Sequence, residues 1–123
     1  MLDTKILNSL RTLGEDFLHE LIDIYLRDVP GLVNQLEKAL QTGDAEIGSM
    51  AAHSLKGSSY SLGVKAVGDI CNDLESAFDD HILCGLAEKI EQLKMEQRQA
   101  ETELKHLQKQ LIRSMQVEPH QKV

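Results

Sequence analysis

A chain of 123 residues with 41% hydrophobic side chains is long enough for one compact domain with a real core and too short for two typical domains. Its 20 acidic against 13 basic residues leave a formal net charge of −7, which disfavours nucleic acid and anionic membrane surfaces as primary ligands because phosphates are repelled. No apolar run approaches the ~20 residues that span a bilayer, and the start MLDTKILNSL lacks the basic head and apolar middle of a signal peptide, so a cytoplasmic protein that meets another protein or a small ligand is expected.

The sequence holds two prolines, almost no aromatic residues and few β-branched runs, while Leu, Lys, Glu, Gln and Ala dominate; the fold class expected is all-α. A short helix is predicted over Thr4 to Leu10. A second runs from about Glu15 to Arg27 with Leu18, Leu21, Ile22 and Tyr25 on one face, and Pro30 marks a break or a fresh start. Leu32, Val33, Leu36 and Leu40 carry the stripe on to Thr42 and Gly43, where glycine suits a helix stop. Asp44 can cap the next helix, whose buried stripe reads Ile47, Ala51, Leu55, Ser58 and Leu62 and which ends at Gly63. A further amphipathic stretch turns Val67, Ile70, Cys71, Leu74 and Phe78 inward and closes at Asp79 and Asp80. The last helix is predicted from Ile82 to about Met115, with Leu86, Ile90, Leu93, Ala100, Leu104, Leu107 and Leu111 on a 4-3 rhythm that Gln97 interrupts.

These segments make an antiparallel four-helix bundle with a short N-terminal helix as a lid and a long C-terminal helix. The domain is expected over residues 1–116, with a frayed tail at 117–123. The last helix would reach ~50 Å where its neighbours reach ~30 Å, so part of it is expected to project. Its apolar seam over 100–111 then needs a cover, either a second copy of the chain as a homodimer or longer neighbouring helices. Cys71 and Cys84, on two different predicted helices, read as small buried apolar side chains.

His53 stands apart. Ala51 and Leu55 belong to the buried stripe, and a residue two positions from each lies roughly 200° around the helix from both, so the imidazole points outward. Gly57, one turn on, leaves the space beside the ring open at a helix cost of ~1 kcal/mol relative to alanine. Lys56 brings a positive charge over the same spot, suited to a dianionic group on the ring. An accessible ring nitrogen, room for an incoming group and a balancing cation together make the setting of a nucleophile, although an exposed His followed by Lys is more often only a solvated face.

The longer stretch H-S-L-K-G-S-S-Y-S-L-G, continued by V-K-A-V-G-D-I-C-N-D-L-E to Glu75, resembles the histidine-containing phosphotransfer (HPt) family, with its His-x-x-Lys-Gly-Ser/Ala signature followed by Leu-Gly and a second amphipathic helix. The resemblance implies a carrier of phosphoryl groups between the aspartates of response-regulator receiver domains, downstream of a hybrid sensor histidine kinase. It gives the phosphoacceptor role to His53, phosphate stabilisation to Lys56 and close approach of the partner to Gly57; Ser58, Leu62 and Gly63 match the structural remainder of the signature. Glu75 matches the place from which some members hydrogen-bond the other ring nitrogen. The resemblance also implies no cofactor on this chain, Mg²⁺ and most of the catalysis being the receiver's, and no ATP-dependent kinase activity.

Partners are expected to dock on the face bearing Ser49, His53, Lys56, Gly57 and Tyr60, extended by Leu13 and Phe17. A dimerising histidine-kinase core would need an acidic residue after the histidine, where Ser54 stands, and an ATP-binding domain. A non-catalytic coiled-coil adaptor built on residues 86–111 is the alternative reading. No metal site is expected, because His19, His53, His81, His106 and His120 share no i, i+4 pairing.

Overall fold

The computed structural model describes residues 1–121, with side chains through Met115; Lys122 and Val123 lie outside the described residues. Five helices follow one another: α1 (Thr4–Thr12), α2 (Glu15–Thr42), α3 (Ala45–Ser61), α4 (Lys65–Asp79) and α5 (Leu86–Gln121). Connections of two, three and six residues reverse the chain between the four long helices, which pack in the cyclic order α2, α3, α4, α5 and back to α2 as an antiparallel bundle. The short α1 lies against α2, beside the open end of the bundle.

Local chemistry explains the boundaries. Asp44 accepts from the Ile47 amide at 3.1 Å as the N-cap of α3, and Gly43 closes α2 in the left-handed region at φ 72°. Gly63 ends α3 at φ 81°; its carbonyl accepts from the Asp3 amide at 2.8 Å, and a Cβ there would stand 3.0 Å from the Asp3 carbonyl oxygen. The chain entering α1 is thus fastened to the end of α3 by a contact that only glycine makes easily.

Three sequence expectations are corrected. Pro30 does not interrupt α2, which runs through it for 28 residues. Proline removes one helical hydrogen bond, yet Ile22, Tyr25, Val29, Val33 and Leu36 all stay in phase across it and are buried, so packing of the continuous stripe outweighs the local penalty of ~3 kcal/mol. In α3 the inward line is Gly48, Ala51, Ala52, Leu55 and Ser59, while Ile47 and Ser58 are exposed. Small residues on that line bring α4 close and rotate the interface by one position from the leucine-based reading. Cys84 is exposed and lies in the loop before α5, which starts at Leu86 rather than Ile82; Cys71 is buried as expected.

The seam of α5 takes the second of its two expected covers, the neighbouring helices. Ala100, Leu104 and Leu111 are buried within the chain itself. At 28 residues, α2 is long enough to lie along this part of α5; Gln108 donates to the His19 carbonyl at 3.3 Å and Ser114 to Glu15 at 3.1 Å, while Leu107 lines a cleft with Leu7 of α1 and Leu18 of α2. The first half of α2, from Glu15 to Arg27, lies along this part of α5 together with α1 and shields it from water. The seam that motivated both the homodimer and the adaptor reading is occupied through Leu111. The expected tail at 117–123 falls partly in the backbone of α5, which stays helical to Gln121, and partly outside the described residues.

A buried polar chain crosses this core. Ser59 of α3 and Tyr25 of α2 are hydrogen-bonded at 2.8 Å, and the Tyr25 hydroxyl donates to Gln97 of α5 at 3.4 Å, so Ser59 must be the donor to Tyr25. Gln97, read as an interruption of the apolar rhythm, is where three helices are held in register.

Candidate functional site

The site lies across α3 and α4. Its register follows from two glycines facing aromatic rings: a Cβ on Gly48 would stand 2.4 Å from the Phe78 ring, and one on Gly68 would stand 2.4 Å from the Tyr60 ring. Each ring occupies the space that its glycine leaves on the opposite helix, and the two helices approach closely at both ends. Between these contacts the antiparallel pairs come in order: Ser49 with Asp79, His53 with Glu75, Lys56 with Asn72, Tyr60 with Asp69. Glu75 meets His53 because of this register.

The His53 side chain is 69% exposed, and its Nδ1 lies 2.8 Å from Glu75 Oε2. An ionised carboxylate only accepts, so Nδ1 carries the proton and the lone pair is left on Nε2, at the outer edge of the ring. Lys56 Nζ donates to the other oxygen of the same carboxylate, Oε1, at 2.6 Å and approaches Asn72 Oδ1 at 3.5 Å. The hydrogen bond from Lys56 above all, and that from His53 after it, hold the Glu75 carboxyl below the ordinary carboxylate range against the opposing effect of desolvation. One carboxylate therefore bridges the candidate nucleophile and Lys56.

Gly57 differs from the two packing glycines: a Cβ there would have nothing within 4 Å. Among the described residues no contact requires glycine at this point in α3, and the surface beside the ring stays open.

The other predicted residues are placed as follows. The Ser49 hydroxyl donates to Asp79, and the Tyr60 hydroxyl donates to Asp69 at 2.6 Å, which ties both residues to α4. Hydrogen bonding to Asp69, more than burial, pushes the Tyr60 phenol up to about 12. Leu13 is 70% and Phe17 41% exposed. The antiparallel pairing of Tyr25 with Ser59 puts Phe17 roughly 20 Å along the bundle axis from the level of His53 at 1.5 Å per residue. Leu21 and Ile24 fill that interval, lining a groove between α2 and α3 with Ser58, Ser61 and Leu62, so the apolar surface from Phe17 runs toward the histidine rather than standing alone. Met50, 64% exposed and one turn before His53, adds an apolar side chain to this face. The packing glycines Gly48 and Gly68 were missed; small residues at facing positions of α3 and α4 were the available signal.

Among the described residues no three His, Cys, Asp or Glu side chains converge to hold a metal ion, and no helix is long and apolar enough to cross a membrane.

A family model described as the Hpt domain matches residues 20–116. Histidine-containing phosphotransfer protein 2 of Arabidopsis thaliana is 29% identical over 105 residues, an alignment that spans 80% of this chain and 67% of that protein. Among solved structures, histidine-containing phosphotransfer protein B of Pseudomonas aeruginosa PAO1 superposes with a TM-score of 0.85 at 30% identity, covering 89% of this chain and 95% of that one. The phosphotransfer protein MtHPt2 of Medicago truncatula superposes with a TM-score of 0.79 at 25% identity, covering 94% of this chain and 82% of that one.

Proposed function

This chain belongs to the Hpt domain family, the histidine phosphotransfer proteins of phosphorelays, and from that premise we propose that His53 is the residue that carries the phosphoryl group. The protein is a phosphoryl carrier whose family partners are receiver domains and hybrid histidine kinases. The observation that carries the assignment to His53 is its ring: exposed, with Nδ1 committed to Glu75 and Nε2 facing outward beside an open glycine.

In the forward step the Nε2 lone pair attacks the phosphorus of a receiver's aspartyl phosphate in line. The N–P bond forms as the P–O bond breaks, and the electron pair of that bond leaves on the aspartate carboxylate. The proton on Nδ1 stays on the ring against Glu75, so no proton need enter or leave during transfer. The reverse step hands the group to the aspartate of another receiver. Lys56, tied to the site through Glu75, balances part of the phosphoryl charge, and the open surface at Gly57 lets the receiver's loops reach the ring. Mg²⁺ and most of the transition-state stabilisation belong to the receiver, and ATP-dependent phosphorylation belongs to the kinase. Such partners place the protein in the cytoplasm. Leu13, Phe17, Ser49 and Tyr60 extend the docking surface around His53.

The test is label transfer from a phosphorylated receiver domain in the presence of Mg²⁺. Acid-labile, base-stable label should appear on the wild-type chain and be absent from His53→Gln, which should melt as the wild type does. Label retained in the variant would move the phosphoacceptor elsewhere.

A further inference from the structure

The placement of Lys56 asks for an explanation beyond phosphate binding. Its ammonium sits at the Nδ1 edge of the imidazole, 2.6 Å from Glu75 Oε1, while the phosphoryl group forms its bond at Nε2 on the opposite edge. The Lys56 side chain is 23% and that of Glu75 18% exposed, so this ion pair is better sheltered than most surface pairs. Building on the reading of His53 as the phosphoacceptor, we propose that Glu75 is a positioning residue that competes with the bound phosphoryl group for Lys56, keeps the affinity of the site for that group low, and so makes His53 a point of transit rather than of storage.

The argument is one of charge. With Glu75 ionised, the Glu75–Lys56 pair is neutral, and a phosphoryl group arriving with about two negative charges meets a cation whose field is already largely cancelled. The direct effect of Glu75 on the phosphorylated ring has two parts. Its carboxylate faces an imidazolium cation at short range and a dianion about twice as far away, and these terms have opposite signs and largely offset. What does not offset is the hold on Lys56. Removing the charge of Glu75 while keeping an acceptor for Nδ1–H therefore frees the cation and raises retention of the phosphoryl group.

The experiment measures the equilibrium of phosphoryl exchange between this protein and a receiver domain charged by a small acyl phosphate, for the wild type, Glu75→Gln, Lys56→Met and the double variant. Glu75→Gln keeps an oxygen able to accept from Nδ1 and should move the equilibrium toward phospho-His53 by fivefold or more. Lys56→Met should move it toward the receiver, and in that background Glu75→Gln should change it by less than twofold. An unchanged equilibrium in Glu75→Gln, a shift toward the receiver, or a gain of equal size without Lys56 would overturn the proposal. A wild-type chain that takes no label at His53 would instead overturn the phosphoacceptor assignment on which the proposal rests. If Glu75→Gln does not fold, Lys56→Met alone decides: an equilibrium unmoved by loss of the cation removes the competition.

Discussion

Replacing Gly57 by alanine separates what the fold needs from what the partner needs. A glycine in a helix interior costs about 0.8–1 kcal/mol relative to alanine, part of it through the freedom of the unfolded chain. The added methyl would meet nothing within 4 Å, so no packing penalty opposes the gain. For 123 residues, an unfolding entropy of about 2.1 cal/mol/K per residue converts 1 kcal/mol into a rise of roughly 4 °C in Tm. The same substitution at Gly48 should act in the opposite direction, because its Cβ would enter the Phe78 ring, which is fully buried and has nowhere to move. Overpacking of this kind costs about 1–3 kcal/mol, a fall of roughly 4–12 °C. Gly68→Ala should fall between them, since the exposed Tyr60 ring can swing outward at the expense of its bond to Asp69. Thermal unfolding gives this order, and transfer from a phosphorylated receiver gives its functional counterpart: Gly57→Ala should transfer about tenfold more slowly or worse while being the most stable of the three, a factor equivalent to about 1.4 kcal/mol. A Gly57→Ala protein less stable than the wild type, or one that transfers at the wild-type rate, would refute the reasoning, the first by revealing a neighbour inside the fold and the second by showing that no partner uses the open space.

Ending the chain after Lys94 removes Gln97, Ala100, Leu104 and Leu111 from the core; the two fully buried leucines alone stand for about 1.5–3 kcal/mol each, so the truncated protein should be largely unfolded by circular dichroism while the intact chain sediments as a monomer. A well-folded truncated form would show that the seam contributes nothing to this domain. Burial pushes the Tyr25 phenol up to about 12 against an ordinary 10, so the neutral phenol is favoured in the folded protein. That preference is fully present below pH 10, is lost as pH rises from 10 through 12, and amounts to about 2–3 kcal/mol at 1.36 kcal/mol per unit. Denaturant titrations across this window should show the loss in the wild type and a smaller one in Tyr25→Phe, and equal losses would sink the assignment to Tyr25. Chemical-shift mapping with a receiver should centre on His53, Lys56 and Gly57 and spread toward Ile24, Phe17 and Leu13; a footprint confined to residues 95–115 would place the interface elsewhere.

Features governed by one helix were readable before the structure. The stop at Gly43, the cap at Asp44 and the end of α3 at Gly63 depend on a residue and its immediate neighbours, and the outward phase of His53 needs only two buried positions and the pitch of a helix. Pro30 was misread because proline acts locally while the stripe from Ile22 to Leu36 acts over the whole helix, and the longer sum is larger. The cover of residues 100–111 was hidden for another reason: it comes from the first half of α2 and from α1, and which ends of two helices meet is not a property of either helix alone.

The site itself divides along that line. The histidine, the lysine and the open glycine occupy one turn of α3, so their proximity is a property of the sequence. The carboxylate that orients the ring and engages the lysine arrives from α4, and its arrival depends on two aromatic rings finding two glycines across an interhelical contact. Slide α4 along α3 by one helical turn, 5.4 Å, and Cys71 or Asp79 would stand level with His53, leaving Lys56 without its sheltered partner. Gly48 and Gly68 thus bear on the chemistry of His53 without touching it, because they seat Phe78 and Tyr60 in the register that brings the Glu75 carboxylate to both ring and ammonium.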